Sequence, residues 1–160
     1  MIPAGRHKQM HYIMARPEKV LKYCPSCGSG LFKPVSSKLF KCESCGFKFF
    51  INSAAAVAAV IENEEGELLL TVRGVEPNIG ALDLPGGFVD PMEGGEEALR
   101  REIKEELNLE ITDVDYLGSF PNEYIYNNYS VFTTDFGYIC KVKSFSNIKV
   151  KDDIADYQFF

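Results

Sequence analysis

Apolar and polar positions change period along this chain, and the changes mark its elements. Ala98, Leu99, Ile103 and Leu107 recur at helical spacing, with strong helix formers between them and Gly94-Gly95 ahead of them. This predicts a helix that stops at Asn108-Leu109. At roughly 100° per residue, Leu99, Ile103 and Leu107 form one stripe, and Glu102, Glu105 and Glu106 form a second beside it. Residues 54–62 and 67–73 read as two buried strands joined by the turn Asn63-Glu64-Glu65-Gly66, a predicted hairpin. Residues 74–81 form a loop, and 82–84 a short strand leading into Gly86-Gly87. Residues 113–120 and 131–142 alternate as strands, and the Asn/Tyr-rich stretch 121–129 is expected to loop out between them. Residues 1–20 show no clear period.

Length and composition fit one ordinary domain plus something small, in a soluble globular class. The longest apolar run, 54–61, is far too short to span a membrane. Arg6, Lys8, Arg16 and Lys19 interrupt the first twenty residues, so no signal peptide is expected and a cytoplasmic location with reduced thiols follows. Charge is unevenly divided. Residues 1–50 hold nine Lys/Arg and two acids, and residues 51–160 hold eight and 21. The net charge of −6 therefore hides a basic head on an acidic body. An acidic body is a poor general nucleic-acid surface, although one that gathers divalent metal can take phosphates through it. The basic head suits a polyanion or the acidic body itself.

Two cysteine pairs carry a second signal: Cys24-Pro-Ser-Cys27-Gly28 and Cys42-Glu-Ser-Cys45-Gly46. Each C-x2-C-G aims two thiolates at one ion, so the four read as ligands of one structural Zn²⁺ with no open position for catalysis. Reduced thiols argue against disulfides, and a thioredoxin-like redox site would have one pair. The segment resembles a zinc ribbon. Cys140 lies in an apolar run and reads as a small buried hydrophobe. His7 and His11 stand at i,i+4 without a third ligand near, and read as surface histidines.

The glutamate stripe is unusual for a solvated helix face. Three carboxylates repel one another, and only Arg101 and Lys104 lie near, Arg101 placed to pair with Glu105. A cation would offset the repulsion, and hard oxygen ligands select Mg²⁺ or Mn²⁺. The whole stretch from Gly87 resembles the Nudix box, G-x5-E-x7-R-E-U-x-E-E-x-G-U with U aliphatic. Gly87, Glu93, Arg101, Glu102, Ile103, Glu105, Glu106 and Leu109 fall on that pattern. Asn108 stands where the family has Gly, at a helix end that needs the left-handed conformation Asn tolerates.

The resemblance implies an α/β fold, a Nudix-type α/β/α sandwich with a mixed sheet, preceded here by a small zinc ribbon. Residues 1–20 would be an extension, 21–50 the ribbon and 51–160 the Nudix domain. The helix with which the family usually closes its sandwich is not expected before Phe160: either the sequence is incomplete there or the edge is exposed. The resemblance implies that the Gly86 carbonyl with Glu102, Glu105 and Glu106 holds catalytic Mg²⁺ or Mn²⁺. Arg101 would orient a glutamate, and Glu93 would support the loop. Glu102 is the first choice for the group that takes the proton of water, and Asp153 or Asp156 could add a late carboxylate.

A ribbon before a Nudix domain is the arrangement of the NADH pyrophosphatases. Those enzymes follow the box with S-Q-P-W-P-F-P-x-S, whereas this chain has Ser119-Phe120-Pro121-Asn122-Glu123-Tyr124, and Leu82 where many relatives have Trp. The implied activity is hydrolysis of the pyrophosphate bond in a nucleoside diphosphate derivative of NADH, NAD or ADP-ribose type, giving a nucleoside monophosphate. Ser119, Tyr124 and Tyr126 are the candidate substrate contacts, tyrosines being able to stack on a base and also donate hydrogen bonds. Two alternatives stand beside this: a nucleotide-binding module without catalysis, and a hydrolase acting on the 5′ end of RNA. A nucleotide is the expected partner and a membrane is not. Nucleic acid is less favoured, and a homodimer stays open.

Overall fold

The computed structural model describes residues 16–160 apart from Pro77, so His7 and His11 lie outside the described residues. The described chain divides into two compact units. One runs through Ser53 and includes Glu123–Phe132; the other holds Ala54–Asn122 and Thr133–Phe160. Among the described residues no helix is long and apolar enough to cross a membrane.

In the first unit a helical turn, Pro17–Val20, precedes a three-stranded antiparallel sheet of β1 (Phe32–Ser36), β2 (Leu39–Cys42) and β3 (Lys48–Phe50) in that order. Alternation puts Phe32 and Phe40 on one face, stacked at 5.1 Å and buried with Cys24 and Cys42. This core is too small to hold a fold without a staple, and the four cysteines at its edge are placed close enough to share a metal ion.

The second unit is built on β4 (Ala54–Ile61), which pairs in parallel with β8 (Tyr129–Val142); β8 in turn pairs with β7 (Ile111–Tyr126). A second sheet has the order β6 (Leu82–Asp83), β5 (Leu69–Arg73), β9 (Ile154–Phe159). The expected hairpin of residues 54–73 therefore opens almost at once. The turn at 63–66 forms, and Glu62 bridges Leu68, but β4 and β5 then enter different sheets. The free edge of β4 is taken instead by the backbone of residues 85–89. Val57 and Ala59 donate to the carbonyls of Gly87 and Pro85 at 2.8 and 2.9 Å, and Val89 donates to Ala55 at 3.0 Å.

The stretch 121–129 does not loop out. Residues to Tyr126 continue β7, and Asn127 and Asn128, at φ 48° and 60°, make the whole turn. Two consecutive left-handed residues form the tight turn whose twist matches that of a hairpin, and asparagine supplies both at little cost.

One long helix, Gly95–Leu107, packs its predicted stripe inward. Ala98, Leu99, Ile103 and Leu107 are fully buried with Val57, Ala59, Ile61 and Leu69. Burying Leu99, Ile103 and Leu107 is worth roughly 1.5–3 kcal/mol each against exposure. Asn108 takes the left-handed conformation at φ 56° and ends the helix, its N–H returning to the Lys104 carbonyl at 3.0 Å. Its side chain does what glycine could not: the amide donates to the Asn147 carbonyl at 3.0 Å. Backbone N–H groups of Lys149 and Lys151 satisfy the Leu107 and Glu106 carbonyls, so the helix end is capped by residues from the far side of β8. Among the described residues this is the only helix longer than one turn, so a mixed α/β fold is present with a single helical layer.

Candidate functional site

The helix presents its glutamates to the loop that β4 holds. Glu106 is 7% exposed, and its Oε2 accepts the Gly86 N–H at 3.1 Å. Burial pushes its carboxyl up to about 8, and the negative charges of Glu102, Asp153 and Asp83 add to the rise against the opposing bond from Gly86. Gly86 has φ 145°, and a side chain there would drive its Cβ to 2.1 Å from the Val57 carbonyl oxygen. Gly87 leaves space of another kind, since a Cβ on it would lie 2.6 Å from the carboxylate of Glu102. Gly86 thus lets the loop press against the β4 backbone, and Gly87 lets it press against the carboxylate of Glu102.

Arg101 organises the remaining charges. Its Nε and Nη2 donate to both oxygens of Glu93 at 2.9 and 2.8 Å, Nη1 donates to Glu102 at 2.8 Å and Glu105 at 3.2 Å, and Nη2 also reaches the Phe88 carbonyl at 3.0 Å. One guanidinium therefore ties the loop to two box glutamates, a task that needs its planar fork. These contacts hold the guanidinium well above its usual range. Glu93 also accepts the Asp90 N–H at 3.0 Å, and Arg101 with that bond lowers its carboxyl to about 2.

The depressed Glu93 carboxyl makes a prediction about acid stability. Because its ionised form is favoured in the folded state, its contribution is complete above the ordinary value of 4.5 and is lost as pH falls toward about 2. Urea unfolding of the wild type across that window should show a steeper fall in stability than Glu93→Gln. Parallel curves would mean that the Arg101 pair carries no net stability.

The sequence-predicted residues do not all come together. Gly86, Gly87, Glu93, Arg101, Glu102, Glu105 and Glu106 form one connected group. Asp153 joins through its effect on Glu106, whereas Asp156 turns to the backbone N–H of Tyr157 at 2.9 Å. Asp83 was not anticipated. It acts on Glu106 and pairs with Arg73 at 3.3 Å, and the one signal for it is its place three residues before Gly86. Ser119 lies on β7 within the second unit, while Tyr124 and Tyr126 belong to the first. An open cleft of about 750 Å³ between Glu62, Lys141, Phe145 and Phe159 includes none of the box carboxylates.

The four cysteines of the first unit lie with all their sulfurs within 4.8 Å of one another. Cys24–Cys45 and Cys27–Cys42 are 3.8 and 3.7 Å apart. Metal–sulfur bonds of about 2.3 Å in a tetrahedron require edges of about 3.8 Å. The knuckles match each other: Gly28 and Gly46 turn at φ 73° and 78° and donate to the carbonyls of Cys24 and Cys42. The backbone N–H of Cys45 lowers the Cys42 thiol to about 7. Cys27 is pushed up to about 12: a backbone bond at Ser29 opposes the rise, and the Cys45 thiol leads it. The cluster fits the ligand set of a zinc ribbon. Cys140 is buried in the core, as expected.

Residues 52–160 match the family model described as the NUDIX domain, which covers well over half of the chain. The chain belongs to the Nudix family. A curated relative, "NAD-capped RNA hydrolase NudC" of Pseudomonas fluorescens, is 24% identical over 143 residues, which is 87% of this chain and 48% of the relative. A Deinococcus radiodurans protein of the same name is 28% identical over 118 residues, 72% of this chain and 42% of its own. The chain thus spans less than half the length of these Nudix relatives. Among solved structures, the MutT protein of Methanosarcina mazei Go1 aligns with a TM-score of 0.55 at 28% identity, covering 66% of this chain and 75% of that one. A Nudix hydrolase from Nitrosomonas europaea reaches 0.61 over 88% of this chain and 77% of its own, and at 22% identity supports the Nudix fold alone.

Proposed function

We propose that this Nudix protein hydrolyses the pyrophosphate bond of a nucleoside diphosphate derivative, releasing a nucleoside monophosphate. The observation that carries the reading is the intact carboxylate face, Glu102, Glu105 and Glu106, tied by Arg101 to Glu93 and closed by Gly86 over Glu106. In this reading residues 21–50 are a zinc-bound ribbon, residues 51–160 are the catalytic domain, and the protein works in the cytoplasm.

The donor set fits Mg²⁺ or Mn²⁺: all its ligands are oxygens, and like charges crowd a buried carboxylate that has no cationic partner among the described residues. Glu102, Glu105, Glu106 and the Gly86 carbonyl would hold the ion, which when bound neutralises phosphate charge and makes water a better nucleophile. The chain's own residues do the rest. Glu102 takes the proton of the attacking water. Arg101 fixes the direction of Glu102 and Glu105, and Glu93 holds Arg101 in place. Asp83 and Asp153 add negative charge beside Glu106, which strengthens its hold on a cation.

The names of the curated relatives favour a second reading at the same bond: the substrate is the NAD-like 5′ end of an RNA. Both readings are tested by incubating the protein, with Mg²⁺ and then Mn²⁺, with NADH, NAD⁺, ADP-ribose, FAD, diadenosine polyphosphates and an NAD-capped oligoribonucleotide. Products are identified by mass. Release of a nucleoside monophosphate supports the first reading, and a 5′-monophosphate RNA the second. No cleavage with the metal site loaded would favour a binding module.

Tyr124 and Tyr126 share one face of β7. If they stack on the base, changing either to Ala should raise KM several-fold and leave kcat nearly unchanged, the pattern of lost uniform binding. Unchanged KM in both would remove them from the substrate.

A further inference from the structure

The ribbon sheet carries a feature that its metal does not explain. Lys33 on β1 lies directly opposite Lys41 on β2, and Lys41 lies directly opposite Lys48 on β3. Residues in register across antiparallel strands project from the same face, so three ammonium groups form one row across the sheet. Strand spacing of about 4.8 Å sets the separation of their Cα rows. Like charges directly opposite one another destabilise a sheet. All three lysines are exposed, and among the described residues none has a carboxylate within 4.0 Å.

Next to this row lies an apolar one. Phe50 pairs with Leu39, and each stands two residues from a ladder lysine, so both share the lysine face. Phe50 is 52% exposed although the core of the ribbon lies on the opposite face with Phe32, Phe40 and Phe49. Lys33 also borders a cleft of about 430 Å³ that Lys22, Glu18 and the 71% exposed Tyr23 help to line. The described part of the ribbon through Ser53 carries seven Lys/Arg and two acids. A row of unpaired cations beside an exposed aromatic ring is the pairing that single-stranded nucleic acid uses: phosphates along the cations, a base against the ring.

The geometry points to the outer face of the ribbon sheet, Lys33, Lys41 and Lys48 with Phe50, as a docking surface for single-stranded RNA. A duplex would use the lysines and leave Phe50 idle, whereas the unpaired bases of a single strand can stack on it. This inference adds a binding surface to the second reading above. Its test reads binding separately from cleavage, so the failure of one is distinguishable from the failure of the other.

The experiment uses the full chain with its zinc, and measures anisotropy of a fluorescent oligouridylate over a salt series. The wild type should bind with a steep salt dependence. The triple variant Lys33→Gln, Lys41→Gln, Lys48→Gln should flatten the slope of log K against log salt by about 2 and weaken binding at least about tenfold at low salt. Phe50→Ala should cost roughly fivefold or more with the slope unchanged. Replacing the three lysines by Arg should restore binding, which a merely unfolded ribbon would not allow, and zinc content reports on the fold directly. Hydrolysis of a small dinucleotide should be unchanged in all of these variants. Equal affinity and slope in the wild type and the Gln variant would overturn the proposal. So would loss of binding to phosphatidylserine vesicles or polyglutamate in that variant without loss of binding to the oligouridylate.

Discussion

Changing Glu106 to glutamine is expected to lower turnover by about 10²-fold or more while the protein keeps its fold. Residues that only support a metal ligand cost 10–100-fold when mutated, so losing a ligand itself should cost at least about as much. The substitution preserves size, and the amide can still accept the Gly86 N–H through its carbonyl oxygen. What disappears is the charge. Glu106 is the most buried of the three box glutamates, so the glutamine should also relieve the crowding with Glu102, Asp153 and Asp83. The variant is therefore expected to be at least as stable as the wild type without metal and less stabilised by adding it. That opposite movement of stability and activity separates a metal ligand from a packing residue. Thermal melts with and without Mn²⁺, beside the rate of product formation, measure both. Near-normal turnover would overturn the metal assignment.

The second large effect concerns the ribbon. Cys42→Ser should release the zinc and unfold residues 21–50, because a buried set of Cys24, Cys42, Phe32 and Phe40 is too small a core to stand alone. The second unit has its own core around Leu99, Ile103 and Leu107 and should survive. Metal analysis should fall from one zinc per chain to none, and limited proteolysis should cut within residues 21–50 while the second unit persists as a fragment. A ribbon that stays protected without zinc would show that the four cysteines are not its staple.

Much of this architecture was legible because the signals were local. The helix is written in the period of Leu99, Ile103 and Leu107, and its end in Asn108, whose left-handed φ confirms the reason for reading it in place of glycine. The knuckles are written in C-x2-C-G, where both glycines turn at positive φ. The long hairpin was missed for the opposite reason. Asparagines and tyrosines in 121–129 look like a loop by composition, although only Asn127 and Asn128 turn and the tyrosines lie in strands that favour aromatic residues. The false hairpin at 54–73 had a real turn, but whether two strands stay paired depends on what else approaches them. In β4 that is the backbone of residues 85–89 and the distant strand β8. Asp83 was hidden because its one signal, its place three residues before Gly86, is weak beside the fold that brings its charge to Glu106.

The pairing of β4 with β8 also sets the order in which this molecule can be made. Ala54 meets Thr133 and Leu69 meets Phe159, so both sheets of the second unit wait for strands synthesised much later. Contacts so distant in sequence slow folding and leave early strands unpaired on the ribosome, with the alanine-rich edge of β4 open to wrong partners. The ribbon needs only residues near one another and a metal ion, so it can close first. The basic ribbon can therefore close while the acidic unit that follows it is still unfinished, and the loop that closes over Glu106 would be among the last parts to acquire its shape.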